Sequence, residues 1–384
     1  MDFALECRGE VGIRVVRVKG PGGGRVDGKM EVNGAGEGEE EEEAVSVFMG
    51  LIESALGRSV SATDDHQVNA QTILILHRSA ANALWRLVDP VAATMVGPGA
   101  GDRAAGPRAA KGVAARLASR GPWLQQWLGD ESSTGVREAF AGVTGVVAGF
   151  MDPNKELVPL LRALSLKLKT CTEDRSTLPS NRAVCAAHGA TCAIGATLGR
   201  LAETHRAGKD AGGAAAAAGG VPVASAGAGG GVAGAWEALA GDAIPAALAC
   251  VASAVGHPVS LLHTAACTAL GRPGMALPLP LPPPQPLAAA SSSTTRGSVF
   301  TEAEVFRRLW DVCRVGETAE SNRRAEASAE ALGRLCIGAA MADFDKEGWR
   351  KARGTRGSAV RRKTLEVLFS MGKAQKEEEL QFAV

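Results

Sequence analysis

Two groups of histidine and cysteine residues have side chains and spacings that could bind a metal ion. Cys185, His188 and Cys192 lie three and four residues apart, so a helix would place them on roughly one side. His263 and Cys267 repeat the four-residue spacing. A metal site needs three or four converging ligands, whereas a free cysteine among small residues also suits a helix–helix contact. We expect the structural role at both groups, and no metal.

Other candidate groups are weaker. His66 follows Asp64 and Asp65 in a polar link but has no second cluster to act with. The glycine-rich runs at 22–24 and 34–38 do not lie between a strand and a helix, and their acidic neighbours would repel phosphate. Sequences of the GxSxG, HExxH and P-loop kinds do not occur. The sequence therefore predicts a protein that is not an enzyme, without catalytic residues, metal or cofactor.

One stretch is strongly basic. Residues Arg350 to Lys363, RKARGTRGSAVRRK, include seven lysines and arginines and no acidic residue. Such a patch can bind nucleic acid, an acidic protein surface or an import receptor. Because it lacks aromatic residues that could stack on bases, we favour a solvated loop between helices and expect no nucleic-acid partner.

The composition excludes several classes of protein. Of the 384 residues 46% are apolar but only 4% are aromatic, and tyrosine is absent, so the core must consist mainly of alanine, valine and leucine. The formal net charge of +1 favours neither nucleic acid nor an acidic partner. Eight cysteines without a CxxC pair are typical of reduced thiols in the cytosol or nucleus. The sequence predicts neither a signal peptide nor a membrane span.

Apolar residues spaced three, four or seven apart predict a series of helices. One runs from Asn181 to Leu201, where alanine and glycine between the apolar positions allow a second helix to approach closely. The same pattern recurs from Val136 to Phe150, from His257 to Gly271 and from Ser321 to Leu335. Further helices are predicted at 44–57, 67–88, 112–128, 157–170, 236–255, 302–313 and 359–373, and the start of another at 377–384.

Segments rich in glycine, alanine or proline separate these helices. We expect residues 1–43 to form a disordered Gly/Glu-rich lead, in which Ile13 to Gly20 could form a short strand, and residues 44–384 to form helical repeats. Flexible inserts are expected at about 97–111, 207–234 and 272–299. With the inserts removed, the repeats approach the roughly 40–47 residues of HEAT and armadillo units. The predicted fold is an all-α solenoid of this type.

Five successive segments of the chain resemble one family. They are AAHGATCAIGATLGRL, HTAACTALGRPGMALPLP, VFTEAEVFRRLW, RRAEASAEALGRLCIG and LEVLFSMGKAQKEEELQFAV, which begin at residues 186, 263, 299, 323 and 365. They are similar to consecutive segments of the proteasome adapter and scaffold proteins, the large HEAT-repeat stabilisers of the proteasome. The resemblance covers about residues 120–384, and because chains of that family are several times longer, this chain is expected to be an internal piece.

The resemblance implies a non-catalytic adaptor in ubiquitin-dependent protein degradation. Such a protein would bind proteasome particles, stabilise their assembly and link them to other cellular components, such as trafficking or quality-control proteins. It would act in the cytoplasm and also in the nucleus. The alternative is another HEAT-type scaffold, such as a transport receptor or a phosphatase or kinase-complex scaffold.

Overall fold

In the residues that the structure describes, the protein is all-α apart from one pair of very short strands. A computed structural model describes residues 5–6, 14–15, 37–57, 66–94, 106–173, 179–217, 239, 242–276, 302–313, 318–347, 366 and 369. In these ranges β1 (Leu5–Glu6) and β2 (Arg14–Val15) pair antiparallel, with Leu5 opposite Val15. β2 lies inside the stretch for which the sequence allowed a short strand.

Eleven α-helices lie in the described ranges. They are α1 (Glu37–Leu56), α2 (His66–Thr94), α3 (Gly106–Ala118), α4 (Gly121–Leu128), α5 (Thr134–Val147), α6 (Val158–Glu173), α7 (Asn181–Ala217), α8 (Ala243–Ala254), α9 (Ser260–Ala276), α10 (Glu302–Val312) and α11 (Ala319–Glu347). A 3-10 turn and a π-helical turn connect α5 to α6. None of the helices in these ranges is both long and apolar enough to cross a bilayer.

Several helix boundaries differ from the prediction. α1 begins at Glu37 rather than Ala44, since consecutive glutamates form helix readily and favour its N-terminal end. α3 begins at Gly106, inside the predicted insert 97–111. α7 continues past Leu201 to Ala217 because this extension is rich in alanine, the strongest helix former. The predicted helix 359–373 lies outside the described residues, apart from two.

α9 also runs past its predicted end. It continues through Pro273 to Ala276, within the predicted insert 272–299. A proline removes one backbone donor and is unfavourable inside a helix. Here Gly274 packs directly against Leu335 of α11, so tertiary contact outweighs the local preference.

Side-chain caps fix the start of α5 and of α7. The Ser133 hydroxyl accepts from the Val136 N–H at 3.3 Å and begins α5. Asp130 and Ser132, just before it, belong to the preceding turn. There the Asp130 carboxylate accepts from the Ser132 hydroxyl and from the Ser133 N–H. In the same way Ser180 begins α7, with its hydroxyl 3.2 Å from the Ala183 N–H.

The helices contact one another in a regular order. α1 packs on α2, α3 and α4 pack on α5, α6 on α7, α8 on α9 and α10 on α11. The second helices of these pairs, α2, α5, α7, α9 and α11, are here called the central row. Each member of the central row contacts the next one, and α1 with α3 and α6 with α8 make similar contacts among the first helices.

Glycines allow the close approach within the central row. A Cβ atom on Gly145 of α5 would lie only 2.9 Å from the Ala196 Cβ atom of α7, and one on Gly195 would overlap Ala269 of α9. Any larger side chain at either position would have to push two helices apart. The glycine-containing sequence pattern that predicted close helix packing is thereby confirmed.

Aromatic side chains join the first two pairs. Trp127 of α4 stacks on Phe140 of α5 with ring centroids 5.7 Å apart, and His77 of α2 meets Trp127 edge-on at 5.4 Å. Trp123 packs edge-on against the same Phe140 ring. Elsewhere the core consists mainly of leucine, valine and alanine from every helix pair, as the composition predicts.

Candidate functional site

The first histidine–cysteine group lies on α7 at its contact with α5. His188 is only 2% exposed, and its Nδ1 accepts from the Arg137 Nε–H at 3.2 Å. Its Nε2 lies 3.7 Å from the Cys192 Sγ atom. The third member, Cys185, contacts the Asn181 side chain instead, with Sγ 3.9 Å from Oδ1. The three predicted candidates therefore share a helix but do not converge on one point.

The electrostatics of this group disfavour metal binding. Burial, together with the adjacent Arg137 guanidinium, lowers the pKa of His188 to about 4. Burial, assisted by Glu138, raises the pKa of Cys192 to about 12. A metal binds the thiolate rather than the thiol, and this thiol stays protonated at neutral pH. The group is a neutral, hydrogen-bonded contact between two helices.

Arg137 is the residue of this site that the sequence did not reveal. It is buried, and besides His188 it donates to the Asp130 carbonyl oxygen at 2.6 Å and to the Thr134 hydroxyl at 2.9 Å. In the part of the chain that the structure describes, these acceptors are all neutral. The only sequence signal is its position one helical turn before Ala141, a small apolar residue.

The second group forms a buried polar network. His263 of α9 bonds through Nδ1 to the Val255 carbonyl oxygen. Its Nε2 lies 3.1 Å from the Ser328 Oγ atom of α11 and 3.4 Å from the Cys267 Sγ atom. The three side chains are fully buried. Sequence analysis paired His263 with Cys267 but missed Ser328, which lies 61 residues beyond the cysteine.

This serine, histidine and cysteine arrangement has the residue types of a nucleophile and its base. However, burial raises the pKa of Cys267 to about 12. Burial also lowers the pKa of His263, outweighing the Val255 and Arg324 carbonyl oxygens that favour the charged ring. A nucleophile must reach its substrate, and these groups are closed off from solvent. Their arrangement joins α9 to α11 and supports no reaction.

The remaining candidates lie outside the residues with described side chains. They comprise His66 with Asp64 and Asp65, the glycine runs at 22–24 and 34–38, and the basic stretch from Arg350 to Lys363. Within the described residues, no three histidine, cysteine or acidic side chains are arranged to hold a metal ion. Other polar contacts of the described residues lie at the protein surface.

Ion pairs on that surface connect helices that are far apart in the sequence. Arg200 of α7 reaches back to Asp89 of α2, with 2.8 Å between nitrogen and oxygen. Arg162 of α6 pairs with Asp242, just before α8, at 3.2 Å. Because these side chains are partly or largely exposed, each pair contributes between zero and about 1 kcal/mol. They help to fix the relative positions of helix pairs, the first with the third and the third with the fourth, while the buried apolar contacts provide the stability.

No protein-family model matches the chain, and no curated protein sequence is significantly similar to it. The resemblance to proteasome scaffolds thus stays a prediction from the five sequence segments.

Proposed function

We propose that this chain is a non-catalytic scaffold of HEAT or armadillo type that binds the proteasome and stabilises its assembly. It links the particle to other cellular components in the cytoplasm and nucleus. It works by binding, and its interior of small apolar residues holds the outer surface in shape.

The order of helix contacts is the observation that carries this proposal. In a solenoid, each repeat contacts mainly its neighbours, and pairs of helices stack so that each covers the apolar face of the next. The central row follows this rule through four successive contacts, α2 with α5, α5 with α7, α7 with α9 and α9 with α11. Glycines at these contacts provide the close approach that repeated stacking requires.

Four of the five segments that resemble the proteasome scaffold family each coincide with one helix. AAHGATCAIGATLGRL lies within α7, HTAACTALGRPGMA within α9, TEAEVFRRLW largely within α10, and RRAEASAEALGRLCIG within α11. Three of these four helices belong to the central row. The four segments thus lie on helices of the array in chain order, with α8 between the first two. The choice of a proteasome scaffold over other helical-repeat proteins rests on the sequence resemblance.

The mechanism that fits such an array is binding distributed over many helix pairs. Each helix pair presents a small part of the binding surface and contributes a small part of the binding free energy. The sum over several pairs gives the affinity. Because a typical stable interface buries roughly 1,200–2,000 Å², several helix pairs must contact the particle at once. Their fixed spacing then determines which partners fit.

Co-purification tests the proposal. The tagged chain is expressed in cells, and the proteins bound to it are identified. An Ala115→Arg variant is the control for an added surface charge, because Ala115 is exposed on α3. We expect proteasome subunits with both proteins. Recovery of transport or phosphatase subunits without proteasome subunits would favour the other HEAT-type scaffolds, and recovery of neither would refute the proposal.

A further inference from the structure

We propose that two buried polar networks fix the register of the array, that is, the position of one central-row helix along the axis of the next. The hydrogen bond from Arg137 to His188 fixes α5 against α7, and the contact of His263 with Ser328 fixes α9 against α11. Both networks lie inside the array, so this role does not depend on which partner the outer surface binds.

Small residues leave the register of the central row weakly defined. Gly145 of α5 lies against Ala196 of α7, and the residues three positions before and after Ala196 are Ala193 and Gly199. A slide of α7 by three residues would therefore again place a small residue opposite Gly145. Cores with uniform, weakly specifying side chains adopt several packings of similar energy. A unique register needs a contact that can form at one position only.

The two networks lie at the two contacts of the central row that have least support from the first helices. α1 contacts α3 beside the contact of α2 with α5, and α6 contacts α8 beside that of α7 with α9. In the residues that the structure describes, α4 with α6 and α8 with α10 make no comparable contact. The position of α5 on α7 and of α9 on α11 therefore depends more on the residues of those helices themselves.

In the first network, one hydrogen bond crosses from α5 to α7. Arg137 is buried, and its Nε–H donates to His188 Nδ1 at 3.2 Å, whereas its other hydrogen bonds are to its own segment of the chain. A slide by three residues, ~4.5 Å, would bring Cys185 or Thr191 to this position. A thiol accepts only weakly, and the Thr191 hydroxyl is held against its own helix by the Ala187 carbonyl oxygen at 2.7 Å. Neither replaces the longer imidazole, so the guanidinium would lose its partner on α7.

In the second network, the imidazole of His263 is oriented by its own helix pair. Its Nδ1 bonds the Val255 carbonyl oxygen just after α8, and its Nε2 lies 3.1 Å from the Ser328 Oγ atom of α11. The residues three positions to either side of Ser328 are Ala325 and Ala331, whose side chains form no hydrogen bonds. A slide by three residues in either direction would thus leave Nε2 without this partner.

Such networks discriminate between registers more than they stabilise the fold. A buried polar pair contributes little more than apolar residues of the same volume would, whereas a buried polar group that loses its partner is costly. The networks therefore change the free energy of the native register little and raise that of a slipped register. Stability and uniqueness of packing should consequently respond differently when a network is replaced by apolar residues.

Urea unfolding tests the first half of this distinction. His188→Leu alone leaves the Arg137 guanidinium buried without its partner on α7, and should lower the ratio of folded to unfolded protein roughly a hundredfold or more. Arg137→Met combined with His188→Leu, here called the first double variant, removes both polar groups. Its ratio of folded to unfolded protein should return to within roughly tenfold of the wild type.

Methyl NMR of protein labelled at alanine reports on the register. Ala187 and Ala190 lie beside His188 on α7 and are fully buried, so each should give one methyl signal in the wild type. In the first double variant we expect several or broadened signals from these two alanines. Ala266 of α9 should keep its single signal, because the second network is intact.

A reciprocal variant is the matched control. His263→Leu combined with Ser328→Ala should multiply or broaden the signal of Ala266 and leave the two α7 alanines unchanged. A change at the α7 alanines instead would contradict the proposal, because the networks would then not act on their own contacts.

Three further outcomes would overturn the proposal. Single sharp signals from the α7 alanines in the first double variant would show that the apolar contacts fix the register alone. A first double variant that is as unstable as His188→Leu, or unfolded, would show that the network acts through stability. Several signals from the same alanines in the wild type would show that the network fixes no register.

Discussion

Acid should loosen the contact between α5 and α7 because a neutral histidine is buried beside a cation. His188 accepts a hydrogen bond from Arg137 at 3.2 Å, which requires an unprotonated Nδ1. A second proton on the ring would break this bond and place two positive charges side by side in the core. This contact is one of the four in the central row, so its loss would separate the helix pairs on either side.

The pKa of His188 sets the size of the effect. It falls from an ordinary value of 6.5 to about 4 in the folded protein, so the unfolded chain binds the proton more tightly. Stability is therefore fully present above pH 6.5 and is lost as the pH falls towards 4. The full difference corresponds to about 3 kcal/mol. At about pH 5 the loss from this one residue is about 2 kcal/mol.

Urea unfolding followed by circular dichroism, between pH 4.5 and pH 8, measures this loss. A His188→Gln variant keeps a neutral side chain at all these pH values, so its stability should fall less than that of the wild type by about 2 kcal/mol at about pH 5. The comparison uses the slope of the unfolding free energy against pH for each protein. The cost of the altered packing in the variant is the same at every pH and does not change this slope. Identical slopes for the wild type and the variant would refute the reasoning, because His188 would then bind protons equally in both states.

Two further substitutions test the packing of the central row, each with a matched control. Gly195→Val should destabilise the protein by roughly 1–3 kcal/mol or more, because its Cβ atom would overlap Ala269, whereas Gly333→Val should leave stability within about 0.5 kcal/mol of wild type. Equal losses of unfolding free energy for the two variants would show that glycine is not needed where a neighbouring helix packs. Ala266→Arg would bury an unpaired charge on α9 and should cost roughly 3 kcal/mol or more, while Ala115→Arg should be tolerated. Urea unfolding measures all four, and full tolerance of Ala266→Arg would contradict the packing described for α9.

The helices of the central row were predictable because their apolar residues recur at helical spacing with glycine and alanine between them. This pattern located α5, α7, α9 and α11 and the close contacts at Gly145 and Gly195. The ends of helices were less predictable. The glutamates before Ala44 and the alanines after Leu201 contribute no apolar face, yet their intrinsic helix propensity extends α1 and α7.

The polar contacts inside the array could be predicted only in part. The sequence spacing identified His188 and Cys192 as neighbours, because residues four apart lie one turn apart on the same helix. It could not show that Arg137 meets His188, because that contact depends on how two helices pack across 51 residues of sequence. The same limit applies to Ser328 beside His263. Local spacing reveals residues that share a helix, but contacts between helices require the fold.

A binding titration with purified proteasome particles tests the central claim most directly. The labelled chain is titrated with the particles, in parallel with the surface variant Ala115→Arg and the packing variant Ala266→Arg. The account predicts saturable binding by the wild type and by Ala115→Arg, and a large loss of affinity for Ala266→Arg, because a distributed surface needs intact packing between helix pairs. Absence of saturable binding by the folded wild-type chain would contradict it.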